Sequence, residues 1–413
     1  MANANFDLKY STGSLQSLDL ERLHCCLYKL TRGLVGSGDC VLAEAACQPN
    51  REDAVRAQEI VAHEVLIDSF ASGMKLNRAG NRLYVPTRAD QGGLYYVDVD
   101  PEGRFYCGED RHCWSGHRIP IRWLESMPLP PGVDVGDPVL EPVAVAVGQA
   151  SLAGELRDMV LVAHRFGLVS LLLEEPCTGP TCPLGVPAQS HLFDTGTLLS
   201  GIEYQPSSGL ALLTRQGGVL GRVGVSSLGG QASPDRTGVL YHAGNVIVSG
   251  VAGGESRALA ANPNNPDEMF IISRAPDALL VVDIGVTAAA DGLVKAKQVI
   301  EVGDGPSRLL VGRVAQDPRL FAFVSCFDAR VLYIIDLELH RVVSVVQGFN
   351  GPFEMALDPS PLRPYLYVAD FRSSAIRVVN LAPLVAHGPR GQGGEIRIVA
   401  SIGSGPKDTD AGG

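Results

Sequence analysis

The sequence predicts an all-β protein: a seven-bladed β-propeller of four-stranded antiparallel blades whose first blade lacks its inner strand. Three observations carry that expectation. One pattern recurs along the chain, a strand, a short loop and a second strand, often ending in Val/Ile-Asp-Val/Leu/Ile. The 47 Gly and 27 Pro supply the many tight turns such a pattern needs and disfavour long helices. Hydrophobic residues reach 46% against 19% charged, so both faces of many short sheets can be covered.

The clearest copies are RLYVPTRADQGGLYYVDV (82–99), MFIISRAPDALLVVDI (269–284), LFAFVSCFDARVLYIIDL (320–337) and YLYVADFRSSAIRVVNL (365–381). Weaker ones are MVLVAHRFGLVSLLLE (159–174) and LALLTRQGGVLGRVGV (210–225). A short inner strand precedes each copy, as in SGMKLN (72–77), SGIEYQP (200–206) and PFEMALDP (352–359). An outer strand follows several, as in KQVIEVG (297–303), RVVSVVQG (341–348) and RIVASIG (397–403). A sheet with two apolar faces cannot bury both alone, and radial packing of blades covers them. The spacing gives one domain over 1–413, with blades at 1–71, 72–140, 141–197, 198–251, 252–303, 304–348 and 349–403 and a tail at 404–413.

These copies resemble the YVTN family of β-propeller repeats, on Gly351-Pro352, Ala356, Pro359, Leu366-Tyr367-Val368 and Val378-Val379-Asn380. Gly305-Pro306, Ile334-Ile335-Asp336 and Leu83-Tyr84-Val85 follow the same pattern. The resemblance runs from about residue 60 onward and implies the propeller fold; lactonase-type hydrolases are among the activities such propellers host.

The N-terminal residues read as the middle of a blade. Ala2-Asn3 closes its second strand, Gly13 to Leu20 is its third, and EIVAHEVLIDSFA (59–71) its outer one. An upstream segment with the inner strand and a secretion or lipid-anchor signal is therefore expected. Two insertions interrupt the spacing, 23–58 with Cys25, Cys26, Cys40 and Cys47, and 104–140 with Cys107, Cys113, Trp114 and Trp123. Both are expected as loops.

Cys40 with Cys47, Cys107 with Cys113 and Cys177 with Cys182 form close pairs in Gly-, Pro- or polar-rich segments and are read as disulfides. That places the protein in the periplasm or outside the cell. Cys326 sits in a strand and reads as a buried apolar group. Cys107, His112, Cys113 and His117 also have metal-ligand chemistry, but their spacing fits no common zinc module, and no metal or cofactor is expected.

The net charge of −11 disfavours nonspecific nucleic-acid binding, and no apolar run reaches the length of a membrane span. A monomer is expected. Neither a covalent-haem motif, a nucleophile elbow nor a phosphate loop is found. Overlaying the blades brings Arg88, Arg165, Arg215 and Arg274 to one register after the second strand, with Arg372 one place further on. Lys75, Arg257 and Arg308 enter the inner strands, and Glu354 is the exception. Two readings stand for these arginines. They ring one mouth of the central channel and take a small anion or a protein partner, or each ties a loop carbonyl or pairs with a nearby carboxylate. The function expected is a non-enzymatic binding or scaffold propeller of the bacterial cell envelope. The alternative is a hydrolase of the lactonase type, for which the inner strands offer Glu203, Asn262, Glu354 and Asp358.

Overall fold

The computed structural model describes residues 2–3, 13–32, 54–55, 60–68, 71–88, 93–107, 113, 117–119, 141–152, 154–174, 186–192, 198–205, 208–215, 219–227, 238–249, 255–284, 292–385 and 395–403. The chain forms two compact units, one from 1–17, 62–270 and 281–297 and the other from 18–61, 271–280 and 298–413. It begins with β1 (Ala2–Asn3), β2 (Gly13–Leu18), α1 (Leu20–Arg32), β3 (Ala54–Val55) and β4 (Val61–Ile67). Strands β1, β2 and β4 make a three-stranded sheet.

The next blade holds β5 (Lys75–Leu76), β6 (Arg82–Thr87) and β7 (Gly93–Val99), with an outer edge split into β8 (Phe105–Tyr106) and β9 (Arg118–Ile119). Then follow β10 (Pro142–Leu152), β11 (Glu155–His164), β12 (Leu168–Leu173) and β13 (Val186–Leu192), paired in that order. The blade after it holds β14 (Leu199–Gln205), β15 (Leu210–Arg215), β16 (Val219–Ser227) and β17 (Gly238–Ser249). Another holds β18 (Ser256–Asn262), β19 (Asn265–Arg274), β20 (Asp277–Asp283) and β21 (Gly292–Glu301). Outer strands β17 and β21 join in parallel, Val246–Ser249 beside Gly292–Lys295.

The last two blades are β22 (Pro306–Gly312), β23 (Phe321–Cys326), β24 (Val331–Asp336) and β25 (Arg341–Val346), then β26 (Pro352–Leu357), β27 (Tyr365–Asp370), β28 (Ala375–Asn380) and β29 (Arg397–Ile402). The fold is thus an all-β propeller of four-stranded blades. Among the described residues there are six four-stranded blades, two of them joined in one eight-stranded sheet, where seven blades were expected; the N-terminal sheet has three strands and no inner one.

Period-two alternation explains the core of the first unit. On β11, Met159, Leu161 and Ala163 face one way and pack with Leu199, Ile202 and Leu213 of the following blade. Val160 and Val162 face the other way, against Tyr84, Leu94 and Tyr96 of the preceding one. The three-stranded sheet packs Leu15, Val65 and Ile67 on Leu83, Val85 and Val97. With both faces covered, β6, β12 and β23 are buried along their whole length.

In the second unit the last two blades share a core of Phe321, Phe323, Leu366, Val368 and Val379. The other face of the final blade, with Val378, Ala400 and Ile402, meets a helix. The expected loop at 23–58 therefore begins as α1, and Leu23, Cys26 and Leu27, spaced for one helical face, pack there with Val55 and Ile60. Asp19 caps it, its Oδ1 accepting from the Arg22 N–H at 3.0 Å, and β3 extends β29 in parallel. The rest of that insertion, the segment 120–140, the tail at 404–413 and Cys40, Cys47, Cys177 and Cys182 lie outside the described residues.

The Cys107–Cys113 disulfide is present, with Cα atoms 4.8 Å apart, and closes the loop between β8 and β9. Cys25 and Cys26 are also disulfide-bonded, and Cys326 is buried and free, its thiol pushed up to about 12 by burial. Inside the first unit, Arg82 Nε and Nη2 donate to Asp98 at 2.6 and 3.1 Å beneath the Tyr96 ring. Removing one charge of a buried pair leaves the other uncompensated. Asp98→Ala is expected to cost about 3–5 kcal/mol in urea unfolding, while Glu102→Ala, at an exposed carboxylate, costs under about 1. Equal losses would contradict this account of the pair.

Candidate functional site

The turns after the second strands do not share the single register that the sequence overlay gives. The backbone N–H groups of Arg165, Phe327 and Phe371 donate to Glu141, Gly305 and Gly351 carbonyls, at 2.8, 3.0 and 2.8 Å. These three occupy one position, just past the ladder. Arg215 sits a residue earlier, opposite Leu199, where the other blades place His164, Cys326 and Asp370. The pairing shifts at the start of each of these inner strands, and such a bulge has no signature in the sequence overlay.

One step of register changes what each arginine does. In the first unit Arg165 is 44% exposed, 3.4 Å from Glu141 and 6.0 Å over the Phe166 ring. Arg215 is 9% exposed, and its backbone N–H and C=O both bond Ser256 Oγ, at 3.2 and 2.9 Å. Arg257 pairs with Glu255 at 2.6 Å, and Arg88 lies part-buried past β6. Lys75 Nζ stands 3.3 Å from Glu203, whose carboxyl is raised by burial and drawn back by that lysine.

In the second unit Arg274 ties a loop, Nε donating to the Pro306 carbonyl at 3.2 Å and Nη2 to Ser307 Oγ at 2.9 Å. Arg308 Nε donates to Glu354 at 2.6 Å, with the guanidinium 4.1 Å over Phe353. Around it stands a cluster whose aromatic members the sequence reading passed over. Phe327 meets Phe353 edge-on and Phe371 at a tilt, both at 6.2 Å between centroids. Arg372 lies 4.7 Å over Phe327 and, among the described residues, pairs with no carboxylate. Phe371 stays 42% exposed. The only signal in the sequence was Phe in place of Arg at the turn position of the last two blades.

The loop beneath is held firmly. Buried Asp370 accepts the Asn350 and Gly351 N–H groups at 2.9 and 2.6 Å through Oδ1, and Arg377 Nε at 3.1 Å through Oδ2. A methyl group on Gly351 would sit 3.0 Å from the Phe327 ring and 3.2 Å from the Arg372 chain.

The four residues considered for metal-assisted hydrolysis are each engaged with partners of their own. Glu203 belongs to Lys75 and Glu354 to Arg308, while Asn262 donates to Glu268 at 2.7 Å. Asp358 is buried against His24 and Tyr367. Cys107 and Cys113 are oxidised to one another, and His117 Nδ1 lies 3.2 Å from the Tyr96 carbonyl, so that group is not a zinc set. His164 is buried, its Nε2 2.9 Å from Ser170 Oγ; the His242 side chain lies outside those described. Among the described residues no three acidic, His or Cys side chains group as metal ligands, and no helix is long and apolar enough to cross a membrane.

The fold itself is widespread among solved structures. The chain is similar to a protein from Bacteroides fragilis NCTC 9343, provisionally described as a 6-phosphogluconolactonase, at 12% identity and TM-score 0.54 over 78% of this chain and 82% of that one. A second protein so described, from Bacteroides uniformis ATCC 8492, matches at 15% identity and TM-score 0.50 over 77% and 84%. A protein from Lactobacillus plantarum matches at 12% and 0.52 over 83% and 89%. Such likenesses establish the propeller fold alone. No family model and no curated protein matches the sequence, so the YVTN resemblance stands on the residues quoted for it.

Gly351→Ala should crowd Phe327 and Arg372 and lower stability by about 1–3 kcal/mol in denaturant unfolding. The same change at Gly80, with nothing within 4 Å of its added methyl but a positive φ, tests backbone strain separately. A neutral result at Gly351 would mean that the cluster is loosely packed.

Proposed function

We propose that this chain is a non-catalytic binding propeller of an oxidising, extracytoplasmic compartment, and that its second unit takes the anionic group of a ligand on the turns after β23 and β27. One observation carries the reading. Arg372 is held over Phe327 without a carboxylate partner among the described residues, beside the exposed ring of Phe371. A guanidinium stacked on an aromatic ring keeps its donors in a fixed plane, suited to a carboxylate or phosphate. The adjacent ring offers an apolar or sugar face a stacking surface.

The arginines of the sequence overlay contribute unequally. Arg274 is spent on loop carbonyls, and Arg257 and Arg308 are matched by acids. Arg165, though 44% exposed, is likewise matched, by Glu141 at 3.4 Å. The Cys107–Cys113 disulfide supports the compartment.

Hydrolysis of a sugar lactone is the second reading, and the descriptions of two fold neighbours make its phosphorylated acid a sensible probe. Isothermal titration with 6-phosphogluconate and with a glutamate-rich peptide tests both sources of the anion. Saturable binding weakened roughly tenfold in Arg372→Ala, with no acid released from the matching lactone, is the expected outcome. Lactone turnover would favour the second reading. Affinity unchanged in Arg372→Ala, or no binding by either probe, removes the site.

A further inference from the structure

The helix α1 is fixed to the final blade by more than apolar contact. His24, on its inner face and 9% exposed, directs Nε2 at Asp358 Oδ2 and lies 3.0 Å from Tyr367 Oη. Tyr367 Oη itself donates to Asp358 at 2.7 Å, and the imidazole stacks on the Tyr365 ring at 5.9 Å. At the rim, Arg363 Nη2 reaches both Glu21 oxygens, at 3.0 and 2.8 Å. The other His24 nitrogen, Nδ1, is buried and meets no hydrogen-bond partner among the described residues. This cluster lies apart from the Phe327–Arg372 turns and from every role assigned above.

We propose that α1 is a proton-operated latch, released from the face of the last blade when acidification places a proton on His24 Nδ1. The neutral ring suits the docked state: one nitrogen faces the carboxylate, and the other needs no partner. A second N–H at Nδ1 would be a buried donor with no acceptor, which costs more than a solvated one.

The charged groups facing the ring act in both directions. Burial, the largest influence, holds the His24 imidazole below the usual histidine range. Asp358 and Glu21 oppose that, and Arg363 reinforces it. Val55, Ile60, Ala400 and Ile402 around the helix contribute no charge. A base whose proton is held less tightly when docked binds more protons when undocked. Docking is therefore fully stable above the ordinary histidine range and weakens as pH falls through it toward the lowered value. Release would uncover Val378, Ala400 and Ile402.

The test is amide exchange on the full, non-reduced chain, corrected for intrinsic rates, at about pH 7.5 and about pH 5.5. Protection of 20–32 should fall roughly threefold or more on acidification, while β23 and β24 of the same unit hold theirs. In His24→Gln, whose amide does not titrate, that selective fall should vanish. Equal loss in α1, β23 and β24 overturns the proposal, as does an unchanged pH response in His24→Gln. Should that variant not fold, the contrast within the wild type decides.

Discussion

Every blade is apolar on both faces, and a sheet so made has no stable existence until something covers each face. The rest of the structure follows from that constraint. In the first unit the strands satisfy it by alternation, odd residues of β11 serving one neighbour and even residues the other. One face of the final blade meets the preceding blade, and among the described residues α1, Val55 and Ile60 pack on the other. A helix can do this because Leu23, Cys26 and Leu27 form one apolar stripe along it.

Polar groups inside such a stack must be satisfied locally, and that requirement decides the fate of most of the arginines. Arg82 meets Asp98 below a tyrosine ring, and Arg274 finishes a loop's carbonyls. These side chains hold turns in place. A recurring arginine at a repeat position is thus first a consequence of the turn's open carbonyls and only then a candidate contact. What separates Arg372 from them is a ring beneath it and no acid among the described residues beside it.

The strands were legible because alternation and the Ile-Asp or Val-Asp endings are local properties. Even the three-stranded start, with Ala2-Asn3, the strand after Gly13 and the one near 61–67, followed from the spacing. The helix was not, although Asp19 followed by Leu20, Leu23 and Leu27 is a cap before a helical stripe. Reading the region as an interruption of a strand repeat hid its own period. The arginine overlay failed for a different reason. Arg215 pairs within the ladder opposite Leu199 while Arg165 lies one residue past it, and that register is set by pairing that no single strand encodes. His24 and Asp358, 334 residues apart, meet only because the helix packs on the last blade.

The two ways of holding that helix are not equivalent. Apolar contact between α1 and the blade carries no titrating group and does not respond to pH. Hydrogen bonds from one histidine to a carboxylate and a phenol fix its position, but they tie the docked state to a single protonation form. A methionine or leucine in place of His24 would leave no orphan nitrogen, but it would take from buried Asp358 one of its hydrogen-bond donors. The imidazole therefore contributes registry and sensitivity to protons where bulk apolar packing would have supplied adhesion alone. The same division runs through the molecule: apolar alternation builds the blades, and a few placed polar groups hold the turns and fix what packs on the last face.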